Sequence, residues 1–177
     1  MSVAEPPPPE GLAAALMLGG ECLFHTNGVL LRRAAFQKVG SFDVSLRLGQ
    51  DRAMWWKAAL VCRLAPGSTR TPVAVYRRHG GNRATAADPD YLEAGPRLAL
   101  AVYRWARDRR LSRAQIGLAR AGLTCELLHC PDARMSRPAL RWRQLLRLAS
   151  YLPRCPALLA EPLLWRRAVR ALLGRGA

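Results

Sequence analysis

LLRRAAFQKVGSFD, residues 30–43, is the stretch on which the fold prediction depends. With the apolar residues before it, this stretch predicts a strand over 23–31 followed by a helix over 33–39, where apolar side chains recur three residues apart. Gly40 comes directly after that helix, where a glycine in the left-handed region commonly ends a helix. The predicted order is therefore strand, short helix and turn.

A second helix and a second strand are predicted downstream. Gln50 and Asp51 open the segment 52–60, whose apolar residues recur four apart as on one face of a helix. Residues 72–76 are mostly apolar and β-tolerant, and the glycines after His79 favour a turn, so residues 72–79 predict a strand. That strand ends in three basic or ionisable side chains: Arg77, Arg78 and His79.

The order of these motifs resembles the second half of a family 2 glycosyltransferase. The resemblance rests on RRxxFxxVGxFD at 32–43, a carboxylate pair or its equivalent before a Trp-bearing helix, and YRxHxxN at 76–82. It covers roughly residues 11–82. It implies an α/β fold, namely the acceptor-side part of a GT-A fold, followed here by an α-helical C-terminal tail. It also implies transfer of a sugar from a nucleotide sugar to an acceptor hydroxyl with inversion.

The resemblance assigns the role of general base to Asp51. The family's base is the Asp of a Glu-Asp pair at a helix start, and the matching pair here is Gln50-Asp51. A carboxylate is ionised at neutral pH and can take the proton of the attacking hydroxyl. The alternative is that Asp51 only caps its helix, as Asp often does.

The remaining site residues follow from the same resemblance. Substrate contacts are expected from Gln50 and Trp55, although an aromatic at helical spacing is also typical of a core. Guanidinium and imidazole groups at a strand tip could reach a donor diphosphate or its metal. Arg77 and Arg78 are therefore predicted to bind substrate and His79 to bind the metal, and the alternative is a solvated surface loop.

The family's main metal motif, D-x-D, is expected to be absent. Asp88-Pro89-Asp90 spells it, but this triplet follows the base and sits among turn residues, so it is interpreted as a connector. The resemblance still implies a divalent cofactor, Mg or Mn. No donor-binding βαβ region or glycine-rich phosphate loop is recognised. The chain is therefore interpreted as an acceptor-side part without a donor site: a truncated product, a misplaced start or one piece of a split enzyme.

Four parts are predicted along the chain. They are a Pro-rich flexible lead at 1–10, the glycosyltransferase part at 11–82, a connector at 83–96 and a basic helical region at 97–177. Within them, apolar periodicity predicts helices over 11–18, 97–108, 113–130, from Ser136 onward, and 162–173.

Positive charge is concentrated in the last part. Residues 97–177 carry 17 basic and 4 acidic side chains, which is +13 of the net +16. Arginine so outnumbers lysine that genomic base composition explains part of this excess, and interleaved stacking aromatics are missing, so nucleic acid is not expected as a partner. An anionic membrane surface is the favoured polyanion, and residues 138–173, with Trp142 and Trp165, are predicted to lie on it. The alternative for this segment is a helical lid that packs on the catalytic domain with its arginines in water. The alternative function is accordingly a basic helical protein that binds membranes or polyanions without catalysis.

Cysteines and hydropathy predict the compartment. The five cysteines are odd in number and scattered, which favours reduced thiols over disulfides or zinc. No signal peptide and no run of about 18 apolar residues is recognised. The expected location is the cytoplasm, peripheral to the inner face of the cytoplasmic membrane. The expected partners are a nucleotide-sugar donor and a glycan or lipid-linked acceptor.

Overall fold

The computed structural model describes residues 8–19, 26–65, 67, 75, 89–129, 137–162 and 164–166, with backbone only over 89–92 and 137–141. These residues belong to two compact units, divided between Ala94 and Gly95. The helices are α1 Pro9–Leu18, α2 Arg33–Val39, α3 Gln50–Val61, α4 Pro89–Asp108, α5 Arg113–Leu128 and α6 Arg137–Tyr151. Short 3-10 helices lie at Thr26–Gly28, Leu152–Arg154 and Pro156–Ala160.

The prediction of an α/β fold, and with it a partial GT-A fold, is wrong. The described residues are mostly helical, and none of them lies in a strand. Where a strand was predicted over 23–31, residues 26–28 form a 3-10 turn, and 29–31 have no regular structure. Of the strand predicted over 72–79, only Val75 is described, and it is not in a strand.

The physical reason is the absence of a neighbouring strand in the described part of the chain. A β-strand satisfies its backbone N–H and C=O groups only through a partner strand, and its side chains gain stability only when one face is covered. Leu30, which the prediction placed in a strand, is 99% exposed. Apolar, β-tolerant residues therefore do not suffice to form a strand here.

The first unit is built around α3. Every residue from Ala53 to Leu60 is buried, because α1 and α2 both pack on this helix. α1 contributes Leu12, Leu16 and Met17 to the core, and α2 contributes Val39. A helix that is covered on several sides needs apolar residues around most of its circumference, and the pair Trp55 and Trp56 supplies them.

The turn between α2 and α3 follows the sequence prediction closely. The predicted helix over 33–39 and its end are confirmed: Gly40 has a φ of +84° and donates its N–H to the Phe36 carbonyl at 2.8 Å. Asp43 then accepts hydrogen bonds from the backbone N–H of Ser45 at 3.1 Å and from its hydroxyl at 2.6 Å. These bonds hold the pKa of the Asp43 carboxyl below its usual range, with a smaller contribution from the charge of Lys57. The same two hydrogen bonds close the turn that leads to the start of α3.

The second unit packs α5 with α6 and with the last 3-10 helix. α5 begins with a capping box, in which Ser112 and Gln115 exchange side-chain and backbone hydrogen bonds. Helices predicted over 97–108 and 113–130 are observed as α4 and α5. α4 begins earlier than predicted, at Pro89, so part of the connector predicted over 83–96 is helical. Pro89 lies in the first turn of α4, where a proline loses no hydrogen bond, whereas Pro96 lies inside the helix, where its missing N–H removes one.

The two helices predicted nearest the C-terminus are confirmed in part. The helix predicted from Ser136 onward is observed as Arg137–Tyr151. Of the helix predicted over 162–173, residues 162 and 164–166 are helical, and the others lie outside the described residues. In the portion of the chain that the structure describes, no helix combines the length and the hydropathy needed to cross a bilayer.

Candidate functional site

Asp51 lies in the first turn of α3, one residue after the helix begins. The N-cap position is taken by Gly49, with a φ of +80°, which has no side chain to cap the helix. The half-buried Asp51 carboxylate instead accepts the backbone N–H of Arg52 through Oδ1 at 2.7 Å. This bond satisfies one of the N–H groups that a helix N-terminus leaves unpaired, and the helix dipole favours a negative charge there. Asp51 therefore has part of the capping role that was the alternative to catalysis.

The second carboxylate oxygen of Asp51 binds a hydroxyl group. Thr26 donates its Oγ1–H to Oδ2 at 2.7 Å, across 25 residues of sequence. The two oxygens thus have separate contacts: Oδ1 with the backbone of α3 and Oδ2 with an alcohol. Both partners are neutral hydrogen-bond donors.

Sequence reasoning did not identify Thr26. The turn-forming Asn27-Gly28 that follows it is a usable signal for the 3-10 turn. No local signal, however, connects this turn to Asp51, because their contact exists only once α3 has packed. Thr26 is the functional candidate that the tertiary structure adds.

Gln50 and Trp55 were both predicted to contact substrate. The Gln50 side chain turns back into the preceding loop and donates its Nε2–H to the Arg47 carbonyl at 3.0 Å. Trp55 is only 8% exposed, which leaves little of its ring for a sugar to cover. In this structure Gln50 closes the turn before α3, and Trp55 packs in the core.

Phe42 is the exposed aromatic at this site. Its ring meets the Trp55 ring edge-on, with centroids 6.2 Å apart, and the side chain is 41% exposed. Trp55 follows Asp51 by four residues, so the two share one face of α3. We call Thr26, Phe42, Asp51 and Trp55 the Asp51 cluster.

The predicted donor-side residues are not among those that the structure describes. Arg77, Arg78 and His79 are outside the described residues, as is Asp88. Pro89 and Asp90 form the first turn of α4. Wherever side chains are described, no three His, Cys, Asp or Glu groups come together as metal ligands would. The divalent cofactor stays a prediction.

The Asp51 cluster thus combines a carboxylate, a hydroxyl bound to it and a half-exposed aromatic ring. Comparison of the chain with protein-family models, with curated proteins and with solved structures finds no match.

Proposed function

We propose that this chain provides the acceptor side of an inverting sugar transfer, in which Asp51 is the general base and a nucleotide sugar is the donor. The observation that carries the proposal is the contact of Asp51 Oδ2 with the Thr26 hydroxyl at 2.7 Å. An acceptor hydroxyl needs the same hydrogen bond before its proton can be removed. The proposal concerns the reaction and does not include a GT-A sheet.

The chemistry requires one displacement. The acceptor oxygen forms a bond to the anomeric carbon while the bond from that carbon to the donor's diphosphate oxygen breaks. The diphosphate leaves with the electron pair of the broken bond, and the acceptor's hydroxyl proton passes to Oδ2 of Asp51. Attack from the side opposite the leaving group inverts the configuration at the anomeric carbon.

Oδ1 has a supporting part in this step. Its hydrogen bond to the Arg52 N–H holds the carboxylate plane and keeps Oδ2 directed toward Thr26. A base fixed in this way loses little conformational freedom when the acceptor binds. Thr26 acts as a positioning residue: its hydroxyl occupies the place of an alcohol donor until the acceptor arrives.

Phe42 takes the stacking role that was predicted for Trp55. Its half-exposed ring lies over Trp55 on the face of α3 that carries Asp51. The apolar face of a pyranose can cover such a ring, and the buried Trp55 keeps that ring from collapsing inward. Arg77 and Arg78, as binders of the donor diphosphate, and His79, as a metal ligand, remain part of the proposal.

The test uses the cell that encodes the chain, so that any donor-binding partner is present. The gene is deleted, and the glycans and lipid-linked sugars are compared by mass spectrometry with those of the parent strain. We expect at least one sugar-containing product to disappear, to return with the wild-type chain, and to stay absent with Asp51→Asn. This substitution keeps the shape and the hydrogen-bond acceptor at Oδ1 but removes the proton acceptor.

Asp108→Asn is the matched control, because it makes the same chemical change at an exposed position at the end of α4. This variant should restore the product fully. An unchanged set of sugar-containing products in the deletion strain, or full restoration by Asp51→Asn, would refute the proposed function.

A further inference from the structure

α6 exposes two large apolar side chains and buries an arginine. Trp142 and Leu146, one helical turn apart, are each 68% exposed, whereas Arg147 is buried. A helix on the surface of a globular protein normally buries its large apolar residues and exposes its arginines. Leu148 and Tyr151 do face the core, so α6 has a second apolar face that the described residues leave uncovered.

Two polar contacts set the rotation of α6 about its axis. Gln144 donates its Nε2–H to the Leu128 carbonyl at 2.6 Å, and Arg147 donates to the His129 carbonyl at 3.1 Å. These carbonyls belong to the C-terminal end of α5, where the helix leaves its C=O groups unpaired and its dipole favours a cation. Because Gln144 and Arg147 are held inward, Trp142 and Leu146 are held outward.

A second exposed apolar pair lies in the same unit. Leu159 and Trp165 are each about half exposed. The Trp165 indole N–H donates to the Leu159 carbonyl at 2.6 Å, so its polar atom already has a partner within the chain. The indole ring can therefore enter an apolar medium without leaving a donor unsatisfied.

The sequence around these side chains is strongly basic. From residue 133 to residue 177 the sequence contains ten arginines and one carboxylate, Glu161. Glu161 is buried and pairs with Arg120 at 2.8 Å, so it does not offset the positive field at the surface. Exposed tryptophan and leucine within an arginine-rich, carboxylate-poor segment match the interface of an anionic bilayer.

We infer that α6 docks on an anionic membrane surface, with Trp142 and Leu146 inserted at the boundary between headgroups and acyl chains. Leu159 and Trp165 form a second insertion point. Nucleic acid is the less suitable occupant, because a phosphate backbone needs arginines but has no apolar layer to receive Leu146. The inference does not rest on the proposed sugar transfer, since none of its residues belongs to the Asp51 cluster.

Sedimentation of the full chain with lipid vesicles tests the inference. Vesicles of equal parts phosphatidylcholine and phosphatidylglycerol are compared with vesicles of phosphatidylcholine alone, at low salt and at high salt. We expect binding to the anionic vesicles at low salt, and weaker binding at high salt or without phosphatidylglycerol. In the double variant Trp142→Ala/Leu146→Ala, the partition coefficient should fall by about tenfold or more, since two large apolar side chains no longer insert.

The matched control is Leu30→Ala, which truncates a leucine of the first unit that is more exposed than Leu146, at 99% against 68%. It should bind vesicles as the wild type does. Because all three side chains are exposed, none of the substitutions should lower the melting temperature, and circular dichroism checks that each variant folds.

Several outcomes would overturn the inference. One is absence of binding to anionic vesicles at low salt, and another is equal binding by the double variant and the wild type. If light scattering shows that the wild type self-associates through this face while the double variant is monomeric, a second copy is the occupant instead. Binding to duplex DNA that is tighter than vesicle binding and unaffected by the double variant would assign the charge to nucleic acid.

Discussion

The carboxylates of the two units have different partners. In the first unit, Asp51 is half-buried, and its oxygens bind a hydroxyl and a backbone N–H. In the second unit, Glu161 is buried and paired with the Arg120 guanidinium at 2.8 Å, and Glu126 is buried where α5 meets Gly95 of α4. The ion pair with Arg120 makes Glu161 part of the packing of its unit. A carboxylate with only neutral partners and access to solvent can accept a proton.

The largest expected effect lies in the first unit. In the active assembly, Asp51→Asn should lower turnover by about 10²–10⁴-fold, because the proton acceptor is lost. Its melting temperature should change little, since Asn also accepts the Arg52 N–H and is a good residue at a helix start. Nucleotide-sugar affinity should not change, because the base touches the acceptor. Turnover near the wild-type level would make the capping role of Asp51 its only role.

In the second unit, we expect loss of Arg120 to lower stability, whereas Asp51→Asn in the first unit should lower turnover with little change in stability. Arg120→Met leaves the buried Glu161 without its cation, and we expect the free energy of unfolding to fall by roughly 2–3 kcal/mol. The value is below that for a fully buried pair, because the Arg120 side chain is 28% exposed. Arg104→Met, the same change on the exposed side of α4, should have almost no effect. Urea denaturation of the two variants measures the difference, and equal stabilities would show that this ion pair is dispensable.

The packing around Glu126 can be tested by a substitution at Gly95, which lies beside its carboxylate. A methyl group at Gly95 would overlap the Glu126 carboxylate, so Gly95→Ala should lower the free energy of unfolding by about 1–2 kcal/mol despite the better helix propensity of alanine. Gly117→Ala is the matched control in α5, where nothing lies near the added methyl. It should raise the free energy of unfolding by up to about 1 kcal/mol. If both substitutions stabilise the chain, the Glu126 side chain moves aside at little cost, and the expected overlap is not destabilising.

The smallest expected effects are on the pH dependence of stability, and they have opposite signs in the two units. Hydrogen bonds from Ser45 lower the pKa of Asp43, so its contribution is present above the unfolded pKa of about 3.9 and is lost as the pH falls through the folded value. Burial raises the pKa of Tyr103, as does its contact with Cys155, so its contribution is present below about pH 10 and is lost as the pH rises through the folded value.

Melting temperatures between pH 2 and pH 11.5 measure these contributions. Asp43→Asn should flatten the acid side of the profile, and Tyr103→Phe should flatten the alkaline side. Each variant should leave the other side unchanged, because the two groups belong to different units. An alkaline profile that is the same with and without Tyr103 would contradict the assignment.

The sequence by itself determined the helices and the ends that depend on near neighbours. The helix over 33–39, its end at Gly40, and Asp51 in the first turn of the next helix were predictable. They depend on propensity and on contacts three or four residues apart, which are visible in any stretch of about ten residues.

Only the tertiary structure decided the rest. Residues 23–31 can form a strand only beside a partner strand. The described part of the chain provides none, and the residues of this segment do not reveal that. The bond from Thr26 to Asp51 spans 25 residues, and the inward position of Arg147 depends on carbonyls of another helix. Such contacts form when separate elements pack together, because burial and hydrogen bonding across the fold then outweigh the preference of each residue alone.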